Sequence, residues 1–290
     1  MLKIALPNKG RLSDDVRELF ADAGLELKSL GERALVASLG GEFEAIFVRA
    51  QDIPEFVADG AADAGVTGWD LVCESGRDLD MLLDLEFGSC RLVVAAREDG
   101  EITSLEDIEN APRVATSFPR LTQQFFHEAR RAITIVPVSG AAEIAPHLGI
   151  ADIVVDLTST GSTLRVNNLR ELATIMRSSA RLVAANGPLR DTRGESKTRA
   201  LEELVMALES VLRARGQRYV MANVPRDRLE RVKEVLPGLN GPTVVDILNG
   251  GRYVAVHAVV PREAIYRTIA ALKTLGAEGI LVTRIERLMP

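Results

Sequence analysis

The sequence predicts an α/β protein with two α/β lobes and a smaller third unit whose element order is β-α-β-β-α-β. In the first half, short apolar runs alternate with stretches of helical period, which is typical of βα units around a mostly parallel sheet. The chain has 290 residues, about twice the ~150-residue prior for one domain. Its 47% hydrophobic content supplies enough apolar surface for a substantial core.

Composition and charge argue against several classes of protein: nucleic-acid binders, membrane proteins and histidine-based metal sites. A net charge of −6 argues against a nucleic-acid binder with a basic face. No apolar run reaches the ~18 residues of a membrane span, and the opening MLKIALPNKGRL turns polar too early for a signal peptide, so we expect a cytoplasmic protein. Cys73 and Cys90 are expected as buried free thiols, and the three histidines are too far apart to form a metal site.

The predicted elements of the first half follow one another in βα order. Strands are predicted at 3–6, 43–48, 64–67, 91–95, 114–116, 134–138 and 153–156, and helices beginning near Leu12, Asp52, Trp69, Pro119, Ala142 and Ser162. The polar stretch 97–110 predicts a crossing between lobes, and the return is expected near 177–185, where MRSSARLVAA resumes a strand pattern. The first lobe would then hold residues 1–96 and 181–214, and the second 97–180. Strand ends from both lobes would face a shared cleft.

The third unit is predicted at 215–290. A charged stretch rich in alanine and leucine, ending at Gly216, predicts a connecting helix before it. Strands are then predicted at 219–224, 243–248, 253–260 and 279–285, with helices at 226–236 and 262–275. This is the order of a ferredoxin-like unit, and Asn249-Gly250-Gly251 suits its hairpin. The absence of an acid/base pair or phosphate loop here favours an effector or assembly role.

The most informative segment is DIVVDLTSTGSTL, residues 152–164. A buried-type strand ends at Asp156, and a turn rich in hydroxyls follows before an apparent helix: Thr158, Ser159, Thr160, Gly161, Ser162 and Thr163. Such a turn can hold a phosphate monoester with backbone N–H groups and hydroxyls. It is neither a Walker loop nor a dinucleotide fingerprint. The alternative is a helix cap whose hydroxyls only satisfy backbone donors, and the loop alone does not choose between the two.

Charged residues near other predicted strand ends are further candidates. Asp156 can accept hydrogen bonds from sugar hydroxyls, and Glu143 either faces the same cleft or is a solvated helix charge. In the first lobe the candidates at strand ends and turns are Lys9, Arg11, Arg49, Asp70 and Arg91. Cations at a helix N-terminus, such as Lys9 and Arg11, oppose the helix dipole unless an anion binds there.

These residues resemble the long form of the ATP phosphoribosyltransferase family over nearly the whole chain. The family's phosphoribosyl-binding pattern is matched at Glu143, Gly149, Ala151, Val154, Asp156, Leu157, Thr160, Gly161, Thr163 and Leu164. PNKGRL, FGSCRLVVA, GPTVVDIL and LKTLGAEGILV also look like the family's. The resemblance implies a two-lobed, periplasmic-binding-protein-like catalytic region with a C-terminal regulatory domain.

The implied reaction transfers 5-phosphoribosyl from phosphoribosyl pyrophosphate to N1 of ATP with Mg²⁺ present. By this resemblance, residues 158–163 hold the 5-phosphate, Asp156 and Glu143 hold the ribose, and Lys9 or Arg11 neutralises pyrophosphate. Arg11, Arg49, Asp70 and Arg91 are assigned to the ATP side. Mg²⁺ would be bound mainly through substrate oxygens and water, with no dedicated protein cage.

The resemblance also implies feedback inhibition by histidine, with active dimers and an inhibited hexamer. The histidine contacts would fall near Asn223, Thr243 and Gly279, and the amide of Asn223 would pair less strongly with the effector amine than a carboxylate would. Two other hypotheses stay open on the sequence: a non-catalytic solute-binding protein, which shares the two-lobed architecture, and a short-form catalytic subunit with a separate regulatory partner.

Overall fold

The computed structural model describes residues 1–27, 35–108, 111–186, 194–248 and 251–289. The chain divides into two compact units, a large unit of Met1–Ala21 and Leu25–Glu203 and a small unit of Asp22–Gly24 and Leu204–Pro290. None of the helices within the described ranges is both long and apolar enough to cross a lipid bilayer.

The large unit contains two sheets with helices between their strands. Its strands are β1 (Leu2–Pro7), β2 (Val36–Gly40), β3 (Phe43–Val48), β4 (Ala64–Gly68), β5 (Leu79–Asp84), β6 (Cys90–Arg97), β7 (Arg113–Thr116), β8 (Thr134–Pro137), β9 (Ile153–Thr158), β10 (Leu169–Ser178) and β11 (Ala180–Ala185). Its helices are α1 (Arg11–Asp22), α2 (Ile53–Ala58), α3 (Trp69–Ser75), α4 (Pro119–Glu128) and α5 (Ser162–Val166). A further helix, α6 (Glu195–Arg215), contains the division between the units.

The two sheets define two lobes. The first sheet has the order β2-β3-β1-β4-β11-β5 and the second β10-β6-β9-β7-β8. Within them, β1 lies parallel to β3 and β4, and β7 lies parallel to β8 and β9. This confirms the mixed α/β architecture. Three strands were not predicted, β2, β5 and β10, because their mixed polar and apolar residues give no clear alternation.

The predicted first crossing is wrong. The strand β6 belongs to the second sheet, where it pairs with β9 and β10, so the chain crosses between Asp84 and Cys90 and not within 97–110. Residues 90–96, assigned to the first lobe, therefore lie in the second. The stretch after Arg97 is polar because it is a surface connection within one lobe. The return crossing lies at Ser179, between β10 and β11, inside the predicted range.

The small unit is ferredoxin-like, as predicted. Its elements are β12 (Gln217–Pro225), α7 (Leu229–Val235), β13 (Thr243–Asp246), β14 (Tyr253–Pro261), α8 (Ile265–Thr274) and β15 (Glu278–Arg284), in an antiparallel sheet of order β13-β14-β12-β15. Val220, Ala222 and Val224 alternate along β12 and pack in the core with Val232 and Leu272 of the helices. Asn249 and Gly250 of the predicted hairpin turn lie outside the described residues.

Candidate functional site

The carboxyl ends of the parallel strands meet where the two lobes join. Two connections join the sheets: residues 85–89 and Ser179. The first reaches β6 at Arg91, which lies opposite Thr158 at the carboxyl end of β9. The second reaches β11 at Ala180, which lies opposite Gly68 at the carboxyl end of β4, so both connections lie at these strand ends. A cleft of about 520 Å³ opens there, lined by Asp84, Glu86, Ser89, Cys90, Arg91, Ser159, Arg177, Ser178, Ser179 and Arg181. Ligand sites of α/β folds occupy such an edge.

The hydroxyl loop, residues 158–163, links β9 to α5. The buried Thr158 hydroxyl accepts a hydrogen bond from Gly161 N at 2.9 Å, and the Thr160 hydroxyl contacts that of Ser162 at 2.9 Å. Gly161 has φ +75°, a left-handed conformation that favours glycine. Among the described residues, the hydroxyls of Ser159 and Thr163 have no hydrogen-bond partner. Thr158 therefore stabilises the turn, while hydroxyls on its exposed side are available to a ligand.

Two carboxylates lie next to this loop. Asp156 is half-buried on β9, and its Oδ1 accepts a hydrogen bond from Leu157 N at 2.7 Å. Burial raises the pKa of Asp156 above its ordinary value, and the nearby charge of Glu143 raises it further. Glu143 lies in a 3-10 turn, Ala142–Ile144, where the sequence predicted a longer helix. The structure thus brings Asp156 and Glu143 together beside the hydroxyl loop.

The first lobe presents exposed cations at its carboxyl edge. Lys9 and Gly10 precede α1, which begins at Arg11. Pro7 and Val48 lie side by side in β1 and β3, so Lys9 and Arg49 follow adjacent strand ends. The Arg49 side chain is 63% exposed and pairs with Asp52 at 2.9 Å, while Arg11 lies 4.0 Å from Asp15. These partners, Asp15 and Asp52, are half-buried acids in single ion pairs near the surface, which an anionic ligand can displace at little cost.

Asp70 and Arg91 are not placed as the prediction expected. Asp70 is only 3% exposed, and its Oδ1 accepts a hydrogen bond from the Ser178 hydroxyl, which itself accepts one from Asp70 N at 2.9 Å. Burial raises the pKa of Asp70. Asp70 therefore holds the junction of the lobes and does not face a ligand in this conformation. Arg91 does line the cleft, but from the second sheet, where it pairs with Glu171 and contacts Thr174.

Several cleft residues were missed by sequence reasoning. Arg177 and Arg181 flank the return crossing, and Arg181 pairs with Asp84 at 3.2 Å and lies 5.2 Å from the centroid of the Trp69 ring. The segment RSSAR was a usable signal, since a polar run at a crossing must lie near the cleft. Cys73 and Cys90 are half-buried free thiols. The pKa of Cys90 is raised to about 11 by burial and by the Asp70 charge, so its thiol is not a nucleophile at neutral pH.

The three effector candidates share one face of the small unit. Asn223 lies on β12 and faces away from α7 and α8. Gly279 of β15 lies beside it, since a Cβ atom added to Gly279 would be 3.3 Å from Asn223 Nδ2. Thr243 lies opposite His257, whose ring contacts the Tyr219 hydroxyl. Asn223 and Gly279 are therefore neighbours, and Thr243 lies on the same face two strands from Asn223.

Comparisons with known proteins agree across the chain. The profile of the ATP phosphoribosyltransferase family matches residues 49–210, and that of the HisG C-terminal domain matches residues 214–287. An ATP phosphoribosyltransferase of Gemmatimonas aurantiaca is 70% identical with full coverage of both chains, and one of Methanocaldococcus jannaschii is 44% identical with full coverage. A solved structure of the ATP phosphoribosyl transferase (HisG:HisZ) complex from Thermotoga maritima matches with a TM-score of 0.62 and 30% identity, over 72% of this chain and 99% of that one.

Proposed function

The chain belongs to the long form of the ATP phosphoribosyltransferase family, and we propose that it transfers 5-phosphoribosyl from phosphoribosyl pyrophosphate to N1 of ATP and releases pyrophosphate. The observation that carries this proposal is the hydroxyl loop beside Asp156 and Glu143, opening on the cleft between the lobes. The first lobe, with residues 1–84 and 180–203, supplies the nucleotide side. The second lobe, from Cys90 to Ser178, supplies the phosphoribosyl side.

The hydroxyl loop is assigned to the 5-phosphate. The free hydroxyls of Ser159 and Thr163 and the backbone N–H groups around Gly161 suit the phosphate oxygens. Asp156 and Glu143 accept hydrogen bonds from the ribose 2- and 3-hydroxyls. Their proximity keeps negative potential near the ribose, which favours the positive charge that develops at C1 as pyrophosphate departs. The displacement needs no protein nucleophile, in agreement with the unreactive Cys90 thiol.

The exposed cations are assigned to the phosphate chains. Lys9 and Arg11 neutralise pyrophosphate, while Arg49 and Arg91 contact ATP. To do so, each of the three arginines gives up only one half-buried acid. Asp70 is reassigned from ATP contact to fixing Ser178 at the junction of the lobes.

Mg²⁺ fits the cleft as a substrate-borne ion. The described residues contain no group of three or more histidine, cysteine, aspartate or glutamate side chains able to hold a metal ion. Mg²⁺ prefers one or two carboxylates with substrate phosphates and water. Glu86 would hold it in the cleft, because Asp84 already accepts hydrogen bonds from Ser179 and pairs with Arg181. When bound, the ion supplies positive charge to the leaving phosphates.

The test is pyrophosphate release from purified protein given ATP, phosphoribosyl pyrophosphate and Mg²⁺. Release is expected only with both substrates, and the product should show the ultraviolet absorbance change of an N1-substituted adenine. Omission of either substrate is the control. Binding of both substrates without turnover would support the solute-binding hypothesis, and turnover that required an added second protein would support the short-form hypothesis.

Regulation is proposed for the small unit. Histidine would bind near Asn223, Thr243 and Gly279 and favour an inhibited hexamer over active dimers, which requires different affinities for the two assemblies. The support is the position of these residues on one open sheet face and the match to the HisG C-terminal domain. A cytoplasmic location is part of the same proposal, because ATP is a substrate.

A further inference from the structure

The cleft between the lobes holds one arginine, Arg177, whose charge is not balanced by any ion pair among the residues that the structure describes. Three guanidinium groups line the cleft: those of Arg91, Arg177 and Arg181. Arg91 pairs with Glu171, and Arg181 pairs with Asp84. Arg177 is exposed and, within the described ranges, makes no hydrogen bond or ion pair through its side chain.

The position of Arg177 next to another arginine makes its unbalanced positive charge unfavourable when no ligand is bound. Arg177 on β10 lies directly opposite Arg91 on β6 in the antiparallel ladder. Like charges at directly opposed positions destabilise a pair of strands. Glu171 balances one of these two charges, and Glu86, the remaining acid of the lining, forms no ion pair with any residue in the described part of the chain. An anion bound between the strands would remove the repulsion.

The same cavity contains Ser159 of the hydroxyl loop, together with Ser89 and Ser179. A guanidinium group and hydroxyls that line the same cavity match the oxygens of a phosphate chain. The volume of about 520 Å³ has room for two or three phosphoryl groups. We propose that Arg177 binds a polyphosphate chain in this cleft, either the diphosphate of phosphoribosyl pyrophosphate or the triphosphate of ATP. The assignment to these two substrates rests on the proposed function, whereas the anion site itself does not.

The test measures binding of small probes to the full-length protein by titration calorimetry with Mg²⁺ present. The probes are inorganic pyrophosphate, ATP, AMP and ribose 5-phosphate. The variants are Arg177→Met, Arg177→Lys and a control, Arg170→Met. Arg170 lies on the same strand but near its opposite end, where its guanidinium group donates a hydrogen bond to the Glu98 carbonyl oxygen at 3.1 Å. Circular dichroism and thermal unfolding establish that all three variants fold.

Arg177→Met is expected to weaken the binding of one polyphosphate probe, pyrophosphate or ATP, about tenfold. Ribose 5-phosphate should bind as tightly as it does to the wild type. If only pyrophosphate loses affinity, Arg177 is assigned to the leaving group. If only ATP loses affinity and AMP does not, Arg177 is assigned to the triphosphate. Arg177→Lys should recover most of the affinity because it keeps the charge, and Arg170→Met should change nothing.

Three results would overturn the proposal: unchanged binding of both pyrophosphate and ATP by Arg177→Met, an equal loss for ribose 5-phosphate, or no binding of either polyphosphate by the wild type. Failure of the proposed function is a separate result, since it would appear as wild-type protein that binds pyrophosphate but releases none from the two substrates.

Discussion

The two units of the chain present their polar side chains in different ways. The large unit gathers hydroxyls, carboxylates and guanidinium groups at the ends of strands, where loops from two sheets enclose a cleft. The small unit presents its candidate residues on an open sheet face, among apolar side chains such as Leu281 and Val245, which are 53% and 47% exposed. Loops at strand ends can contact a ligand from several sides, whereas an open sheet face can contact it from one side only.

This difference bears on how each unit would act. In the proposed reaction, the cleft binds and converts the substrates with residues from one chain. A histidine on the open face of the small unit would still need a second surface to enclose it, and a second copy of the chain is the surface that a regulated oligomer provides. The proposed effector would therefore act through assembly, whereas the proposed chemistry would need only a single chain.

The largest effect is expected for Asp156→Asn. It removes the carboxylate proposed to hold the ribose, so kcat should fall about 10- to 100-fold, the range for losing a hydrogen bond to a charged group. Steady-state pyrophosphate release measures it. Asp152→Asn is the matched control: Asp152 precedes the same strand at its other end and pairs with Arg113 on the surface at 2.7 Å. Equal losses in both variants would remove Asp156 from the site.

A smaller loss is expected for Gly161→Val. A β-branched residue is strained at φ +75°, so the turn should shift and the KM for phosphoribosyl pyrophosphate should rise about tenfold, with the KM for ATP unchanged. Gly40→Val imposes similar strain at φ +88°, in open space at the end of β2 in the first sheet. If the two variants behave alike, the loop acts as a helix cap. Thr163→Val tests the free hydroxyl without strain and should raise the same KM.

The hydroxyl loop could be predicted because its evidence is local. A buried strand, a glycine and a run of hydroxyls follow one another within a dozen or so residues, and the element order of the small unit is equally visible in the alternation of strands and helices. The position of Asp70 at a strand end was also predictable. Its burial was not, because the partner that covers it, Ser178, is 108 residues away.

The crossing between lobes was misplaced for a similar reason. CRLVVAAR predicts a strand correctly, but nothing in its pattern says which sheet it joins. That choice is made by its pairing with β9 and β10, for example Val93 with Asp156. Arg177 was missed because the strand that carries it, β10, shows no regular alternation, and its pairing with β6 is interrupted by register shifts.

The next effect tests the open face of the small unit. Asn223→Asp should strengthen inhibition by histidine about fivefold, because a carboxylate pairs with the effector amine where an amide only donates or accepts a hydrogen bond. The measurement is the histidine concentration that halves pyrophosphate release. Gln217→Glu adds the same charge at the far end of β12 and should leave inhibition unchanged. A wild type and a variant that are both insensitive to histidine would place the effector site elsewhere.

The smallest effect concerns the free energy of unfolding that the Asp156 carboxylate costs the folded protein. Burial raises the pKa of Asp156 in the folded protein, with Glu143 adding to the shift. The folded state therefore favours the protonated form, so the stability present below the unfolded pKa is lost as the pH rises through the folded pKa. Asp156→Asn cannot ionise, so it should unfold at a higher temperature than wild type at pH 7, and the difference should shrink as the pH falls below the unfolded pKa. Thermal unfolding between pH 3 and pH 7 measures this. A variant that loses activity yet gains stability at pH 7 would mark Asp156 as a residue kept for chemistry, whereas a variant less stable at every pH would give the carboxylate a structural role.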